Sequence, residues 1–207
     1  RDEAERRFQA HLRLEPLGLE ACSLSTAHER VLAADVAAAL DVPGFDRSNV
    51  DGVAVRAADT IYAAEETPVT LRVNPESLSP GVRPRLDVRP GTATPIATGG
   101  MLPRGADAVV MIEATEQCTL PDGSPGLLVG RPAAPGEQVT FAGTDLALGE
   151  VAVWRGQLLT AREIGVLAAI GCAEVPVYRR PRVAIVSTGD EIVPPGQPLP
   201  IGSVYDS

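Results

Sequence analysis

Four stretches of the sequence carry residues able to do chemistry. Pro43-Gly-Phe-Asp-Arg-Ser-Asn-Val-Asp-Gly-Val-Ala-Val55 places Asp46, Ser48 and Asp51 in a Gly-bounded segment that leads into a strand. Carboxylates and hydroxyls on such a loop can hold a metal-bound anion or a sugar hydroxyl. The same residue types also close turns on their own backbone, and the segment alone does not separate the two uses. Ile96-Ala-Thr-Gly-Gly-Met-Leu-Pro-Arg-Gly-Ala-Asp107 offers two adjacent glycines, Gly99 and Gly100, after Thr98. Their N–H groups can form an anion-holding nest, or the glycines can simply join two strands. The spacing matches neither a Walker A loop nor a dinucleotide fingerprint. Ser187-Thr-Gly-Asp-Glu191 follows an expected strand, and ligands of open α/β sheets bind beyond the carboxyl ends of strands. Asp190 and Glu191 are therefore candidate ligands for a divalent cation, with a solvated acidic turn as the alternative. In Ala142-Gly-Thr-Asp-Leu-Ala-Leu-Gly149, Asp145 is a candidate within what also reads as a Gly-rich bend.

Composition narrows the chemistry. The 207 residues hold 18 basic and 27 acidic side chains, a net charge of −9. Every basic residue is Arg, so no P-loop Lys and no Schiff-base Lys exists in this sequence. The acidic balance argues against nucleic acid as a partner, because that needs a basic face, although a local Arg cluster can still hold an anion. Cys22, Cys118 and Cys172 lie far apart, no CxxC occurs, and only His11 and His28 could assist. A Cys/His zinc site is not expected, and unpaired thiols fit a cytoplasmic protein. No run reaches the roughly 18 apolar residues of a membrane span, and the opening Arg-Asp-Glu-Ala-Glu-Arg-Arg is no secretory signal. No Ser/His/Asp triad suggests itself; both histidines are expected on helices, facing solvent.

The elements that must position these residues read as follows. Ala4, Phe8 and Leu12 recur at helical spacing and predict a helix over 2–13. Thr26-Ala-His-Glu29 is a capping-box pattern that predicts a short helix through Val31 to Ala34. Residues 35–40 read as extended. Between 50 and 150 short β-rich runs alternate with Pro and Gly: Val69 to Val73, Asp107 to Ile112 and Gly126 to Val129, with turns at Pro121-Asp-Gly123 and Pro135-Gly136. Thr160-Ala-Arg-Glu163 is a second capping box opening a helix to about Ile170, with Gly171 as its C-terminal stop. Glu174 to Tyr178 reads as a strand. Arg182 to Ser187, a β-branched run between Pro181 and Gly189, reads as the buried opening strand of an α/β unit. Such a strand needs a crossover helix and a parallel partner, so the unit is expected to be truncated. The fold class is α+β and multidomain: a discontinuous mixed first domain from 1–48 and 143–180, an inserted β-rich domain over 49–142, and the start of a truncated α/β domain over 181–207.

Taken in order, the motifs Pro-Gly-Phe-Asp-x-Ser-x-x-Asp-Gly-x-Ala-Val, Thr-Gly-x-x-x-Pro-x-Gly-Ala-Asp-Ala-Val-Val-Met, Gly-x-Asp-Leu and Ser-Thr-Gly-Asp-Glu resemble the molybdopterin molybdenumtransferase family. These are the MoeA-type proteins, to which the E domain of gephyrin is similar, and the resemblance runs from about Leu17 to Ser207. It implies insertion of molybdate into adenylylated molybdopterin, with release of AMP and assistance from Mg²⁺. It implies an elongated homodimer whose cleft lies between the MogA-like α/β domain of one protomer and the first two domains of the other. A MogA-type molybdopterin adenylyltransferase is the implied pathway partner. By matching position, Asp51, Thr98, Asp145 and Glu191 are the implied catalytic residues, Ser48 and Gly99 contact substrate, and Asp190 joins Glu191 at the metal. Clustered carboxylates would repel both molybdate and a pyrophosphate, so a bridging Mg²⁺ is expected where they meet. With the rest of the α/β domain outside this sequence, the fragment alone is expected to be inactive.

The sequence also departs from the family pattern. Many members carry Arg just before Gly-x-Asp, where Thr140-Phe141-Ala142 stand here, leaving Arg104 or Arg131 as replacements. Asn49 stands where a small residue is common, and Val53 where Tyr is common. These changes keep open a second reading, a non-catalytic molybdate- or pterin-binding scaffold or regulatory paralogue on the same fold.

Overall fold

The computed structural model describes residues 2–12 and 15–206. Its largest element is a six-stranded sheet in the order Ala108–Met111, Gly52–Val55, Thr92–Ile96, Val69–Val73, Pro125–Val129, Thr115–Thr119. One strand makes the sheet bend. The first half of Thr92–Ile96 pairs in parallel with Val69–Val73, and its second half pairs antiparallel with Gly52–Val55. Side chains alternate across the pleat, so consecutive residues serve opposite faces. Val53, Val55, Ala108 and Val110 enter one core with Leu71, Leu127 and Val129. Ala54 and Val109, the residues between them, enter another with Leu78, Ile96 and Val139. A strand buried on both faces reads as an unbroken apolar run, which is why Gly52–Val55 shows no polar alternation.

A third core is built from two distant parts of the chain. Leu19–Ser23 pairs antiparallel with Glu174–Tyr178, and Val36–Ala37 with Val151–Val153. The helix Ala161–Ala169 lies over them and buries Leu167 among Cys22, Leu32, Leu159, Val175 and Val177. Burying that one Leu side chain is worth about 1.5–3 kcal/mol. The helix starts where the capping box predicts: the Thr160 hydroxyl accepts from the Arg162 N–H, and Glu163 reaches back to the Thr160 N–H at 3.0 Å. It stops at Gly171, whose φ of +80° no β-carbon-bearing residue takes readily. Between the cores, Arg47–Ser48 pairs with Val139–Thr140.

Three expectations meet a different structure. The helix predicted from Thr26 does not form; a 3-10 turn, Leu24–Thr26, precedes a bend, and Glu29 has φ +59°. Leu32 and Ala33 instead donate their N–H groups to the Gln157 and Pro176 carbonyls. These long-range backbone bonds, with Leu32 and Ala33 buried beside their partners, override the local cap. His28 therefore sits in an exposed turn, and His11 in the exposed turn after the helix Asp2–Gln9. That first helix is shorter than predicted, and the expected end at Arg13 lies outside the described residues. Arg182 to Ser187 forms no strand: Val183 and Ile185 are 77% and 92% exposed. A strand needs a neighbour to take its N–H and C=O groups, and none of the described residues pairs with this run. Among the described residues no helix is long and apolar enough to cross a membrane.

Candidate functional site

The segment from Val42 to Asp51 is the platform on which two other loops dock. On one side Leu102 donates to the Asp46 carbonyl, Ser48 to the Gly100 carbonyl and Gly99 to the Ser48 carbonyl, all at 2.8–3.0 Å. On the other side Gly143 donates to the Pro43 carbonyl and Asp145 to the Val42 carbonyl. Side chains tighten this second seam. One Asp46 carboxylate oxygen accepts from the Ala142 N–H at 2.8 Å, and one from Asp41 accepts from the Leu148 N–H at 2.7 Å.

Asp51 and Thr98 meet directly. Asp51 Oδ1 accepts from the Thr98 backbone N–H at 2.7 Å and from the Thr98 hydroxyl at 2.8 Å. The backbone N–H is the main reason, and the hydroxyl the second, why the Asp51 carboxyl titrates below the usual Asp range. The pair thus presents a solvent-exposed carboxylate that stays charged and cannot swing. Its placement depends on the next residue: a Cβ at Gly52 would fall inside the Val110 carbonyl of the neighbouring strand. Only Gly lets the chain pass there and bring Asp51 to Thr98.

Ser48 and Gly99 serve the scaffold. Ser48 is 2% exposed, and its hydroxyl donates to the Val50 carbonyl at 2.6 Å while accepting the Val50 N–H. The nest expected at the glycines is closed, because the N–H groups of Thr98, Gly99 and Gly100 go to Asp51, Ser48 and Ala97. Gly99 keeps a φ of +78°, so it shapes the turn without offering a free donor. Asp145 is exposed, and its carboxylate makes no hydrogen bond among the described residues.

Asp190 and Glu191 stand apart. Both are exposed, and no hydrogen bond among the described residues links 181–206 to any residue before it. The segment bonds to itself, through the parallel pair Ile192–Val193 and Val204–Tyr205 and from the Ser187 hydroxyl to Asp206. Among the described residues no three His, Cys, Asp or Glu side chains gather to hold a metal ion. Among the described residues, Asp190 and Glu191 therefore have no third carboxylate beside them and do not by themselves fit Mg²⁺.

Of the two replacements considered for the missing Arg run, Arg131 is committed to an ion pair with Glu137. Arg104 is exposed, with no ion pair among the described residues. Two departures touch: the Thr140 hydroxyl is hydrogen-bonded to the Asn49 side chain. A neutral link thus occupies wall that the family pattern fills with charge. Sequence reasoning gave no role to Asp41, which holds the Leu148 loop, or to Asp107, whose carboxylate accepts the Ala57 N–H at 2.6 Å. Lone acids next to turn residues carried the signal, but their partners lie 50 residues or more away and were not legible.

The family described as MoeA N-terminal region (domain I and II) matches residues 1–171. The chain is 39% identical over 98% of its length to a molybdopterin molybdenumtransferase 2 of Mycobacterium tuberculosis, covering 50% of that protein. It is 38% identical to the molybdopterin molybdenumtransferase of Bacillus subtilis, covering 100% of this chain and 47% of the relative. A crystal structure of the molybdopterin biosynthesis MoeA protein of Pyrococcus horikoshii superposes with a TM-score of 0.84 at 39% identity, over 100% of this chain and 51% of that one. The chain thus spans about half the length of the curated relatives it matches.

Proposed function

This chain belongs to the family of MoeA N-terminal regions, and from that premise we propose that it serves molybdenum cofactor biosynthesis as one wall of a molybdenum-insertion site. The reaction is insertion of molybdate into adenylylated molybdopterin with release of AMP. The observation that carries the reading is the Asp51–Thr98 pair, a fixed carboxylate, held below the usual Asp range, at the edge of a loop platform. Such a carboxylate accepts hydrogen bonds from the N–H groups of a pterin and repels the oxyanions of molybdate and phosphate. It therefore orients a substrate that carries both, donor edge inward and anionic end away. Asp145, on the loop docked to the other end of the same platform, is assigned the same kind of contact.

Asp190 and Glu191 are assigned to the opposite wall, supplied across a homodimer. Mg²⁺ is proposed there only with ligands from outside these residues, since no three-ligand group exists among the described ones. No step is derived through it. On this reading the 207 residues alone do not turn over substrate, because the acids they carry do not converge. The product of a MogA-type adenylyltransferase is the proposed supply, and the cytoplasm the proposed setting, in keeping with three free thiols.

The test grafts these residues in place of the matching half of the Bacillus subtilis relative, in a strain lacking its own insertion enzyme. The chimera is expected to restore molybdoenzyme activity, and Asp51→Asn to abolish it. Full activity with Asp51→Asn overturns the site assignment. A chimera that binds the pterin yet yields no inserted product favours the scaffold reading, for which the neutral Thr140–Asn49 link is the supporting observation.

A further inference from the structure

A loop beside Thr98 carries two arginines that nothing in the fold uses. Ser79-Pro-Gly-Val82 is a turn closed by the Val82 N–H on the Ser79 carbonyl at 3.0 Å, with Gly81 at φ +83°. Pro in the second place and a positive-φ Gly in the third are what a type II turn requires. Arg83-Pro84-Arg85 follows. Proline biases the residue before it to extended backbone, and in extended backbone residues two apart point the same way. Both arginines accordingly line one open depression of about 890 Å³, with Glu76, Ser77 and Gly81. Its far side is closed by Glu76, whose two carboxylate oxygens accept the Arg85 and Leu86 N–H groups at 3.1 and 3.0 Å. That use leaves Glu76 bound to backbone. Neither guanidinium makes a hydrogen bond or ion pair among the described residues, in a chain whose net charge is −9.

The loop is fastened next to the Asp51–Thr98 pair. Leu78 donates to the Pro95 carbonyl, Ala97 donates to the Leu78 carbonyl, and Pro80 Cγ lies 3.4 Å from where a Cβ on Gly99 would stand. The loop that carries the two planar donor forks is thus anchored to the turn that carries Thr98, and paired guanidinium forks match the geometry of phosphate oxygens.

We propose that Arg83 and Arg85 bind a phosphate chain. The identification of that chain with the pyrophosphate of the adenylylated substrate rests on the function proposed above; the anion site itself does not. Among the residues lining the depression, the two guanidinium charges of Arg83 and Arg85 face the single carboxylate of Glu76, so its net charge is positive.

The test titrates the 207-residue chain with inorganic pyrophosphate by calorimetry at low ionic strength. One pyrophosphate per chain is expected. Arg83→Gln and Arg85→Gln should each weaken it about tenfold, the size of one charged hydrogen-bonding group. Arg162→Gln, the same charge lost from an exposed helix, should leave it unchanged. The Arg83→Lys/Arg85→Lys variant keeps the charge and the loop, so it should bind better than the double Gln variant. Absence of saturable binding, equal affinity in the double Gln variant, or tighter binding of molybdate than of pyrophosphate by the same arginines overturns the proposal. A failed chimera with intact, arginine-dependent pyrophosphate binding removes the functional reading and leaves the site. A working chimera with no such binding removes the site alone.

Discussion

The platform around Val42 to Asp51 and the segment from 181 to 206 both carry candidate acids, and they hold them in opposite ways. On the platform three loops from distant parts of the chain are sewn together by backbone bonds, and Asp41, Asp46 and Asp51 each accept an N–H from another loop. In the C-terminal segment the bonds are local, and Val183, Ile185 and Val186 face solvent. An acid whose geometry comes from tertiary bonds is positioned before any ligand arrives. An acid on a self-bonded, exposed segment gets its geometry from whatever packs on it later. The first kind has a geometry set by the fold; the second has none set by the described residues.

The largest effect expected from breaking that contrast is at Gly52. Gly52→Ala drives a methyl into the Val110 carbonyl and pushes apart the two strands that deliver Asp51. It should cost about 3 kcal/mol in urea unfolding, at the upper end for overpacking. A loss below about 0.5 kcal/mol, the range of ordinary surface changes, would show that the platform yields and that Asp51 is not fixed by its strand.

Next in size is the difference in protection. Trypsin should cut after Arg179 and Arg182 well before it cuts after Arg47, whose backbone pairs with Thr140 and bridges Met101. Arg180 is followed by Pro181 and should be spared. The order is read by mass spectrometry over a time course. Simultaneous cleavage at Arg47 and Arg182 would erase the contrast.

A smaller effect lies in the titration of Asp51. Its folded pKa is lowered, so its contribution to stability is present above the ordinary Asp value of about 3.9 and is lost as pH falls through the lowered value. Thr98→Val removes the hydroxyl donor and leaves the backbone N–H, which is the larger cause. The Asp51 carboxyl carbon, followed by NMR, should then titrate at a higher pH than in the parent chain while remaining below the ordinary range. An unchanged titration would mean that the hydroxyl does not hold the carboxylate.

Much of this was legible before the structure, and the exceptions share a cause. The helix at Ala161–Ala169 was readable because its start, its stop and its apolar face are all local. The alternation of Val53, Ala54 and Val55 between two cores could be read only as a buried run, since both faces are apolar. The helix expected at Thr26 failed because Leu32 and Ala33 have bonding partners more than 120 positions away, which no local pattern reports. The same limit applied at the site. Asp51 and Thr98 stood out as residue types near glycines, whereas the fact that one carboxylate oxygen takes both Thr98 donors is a property of two loops 47 positions apart. The Arg83–Arg85 loop passed unmarked because its motif looks like a plain Pro/Gly turn until Glu76 and Gly99 are seen beside it.

The smallest expected effect is none, and it tests the other half of the contrast. Asp190→Asn and Glu191→Gln together remove two negative charges from a segment that, among the described residues, shares no hydrogen bond with the chain before it. They should leave the urea midpoint of this chain where it is. Mg²⁺ at millimolar concentration should not raise the melting temperature of the parent chain either. A cation that prefers six oxygen ligands in a near-octahedral arrangement gains little from two exposed neighbouring carboxylates, and ligand-linked stabilisation scales with binding to the folded state. Should Mg²⁺ stabilise the chain, and the double substitution remove that stabilisation, Asp190 and Glu191 would already be preorganised. The distinction between acids held by their own fold and acids waiting for a partner surface would then fail at the position where it is drawn most sharply.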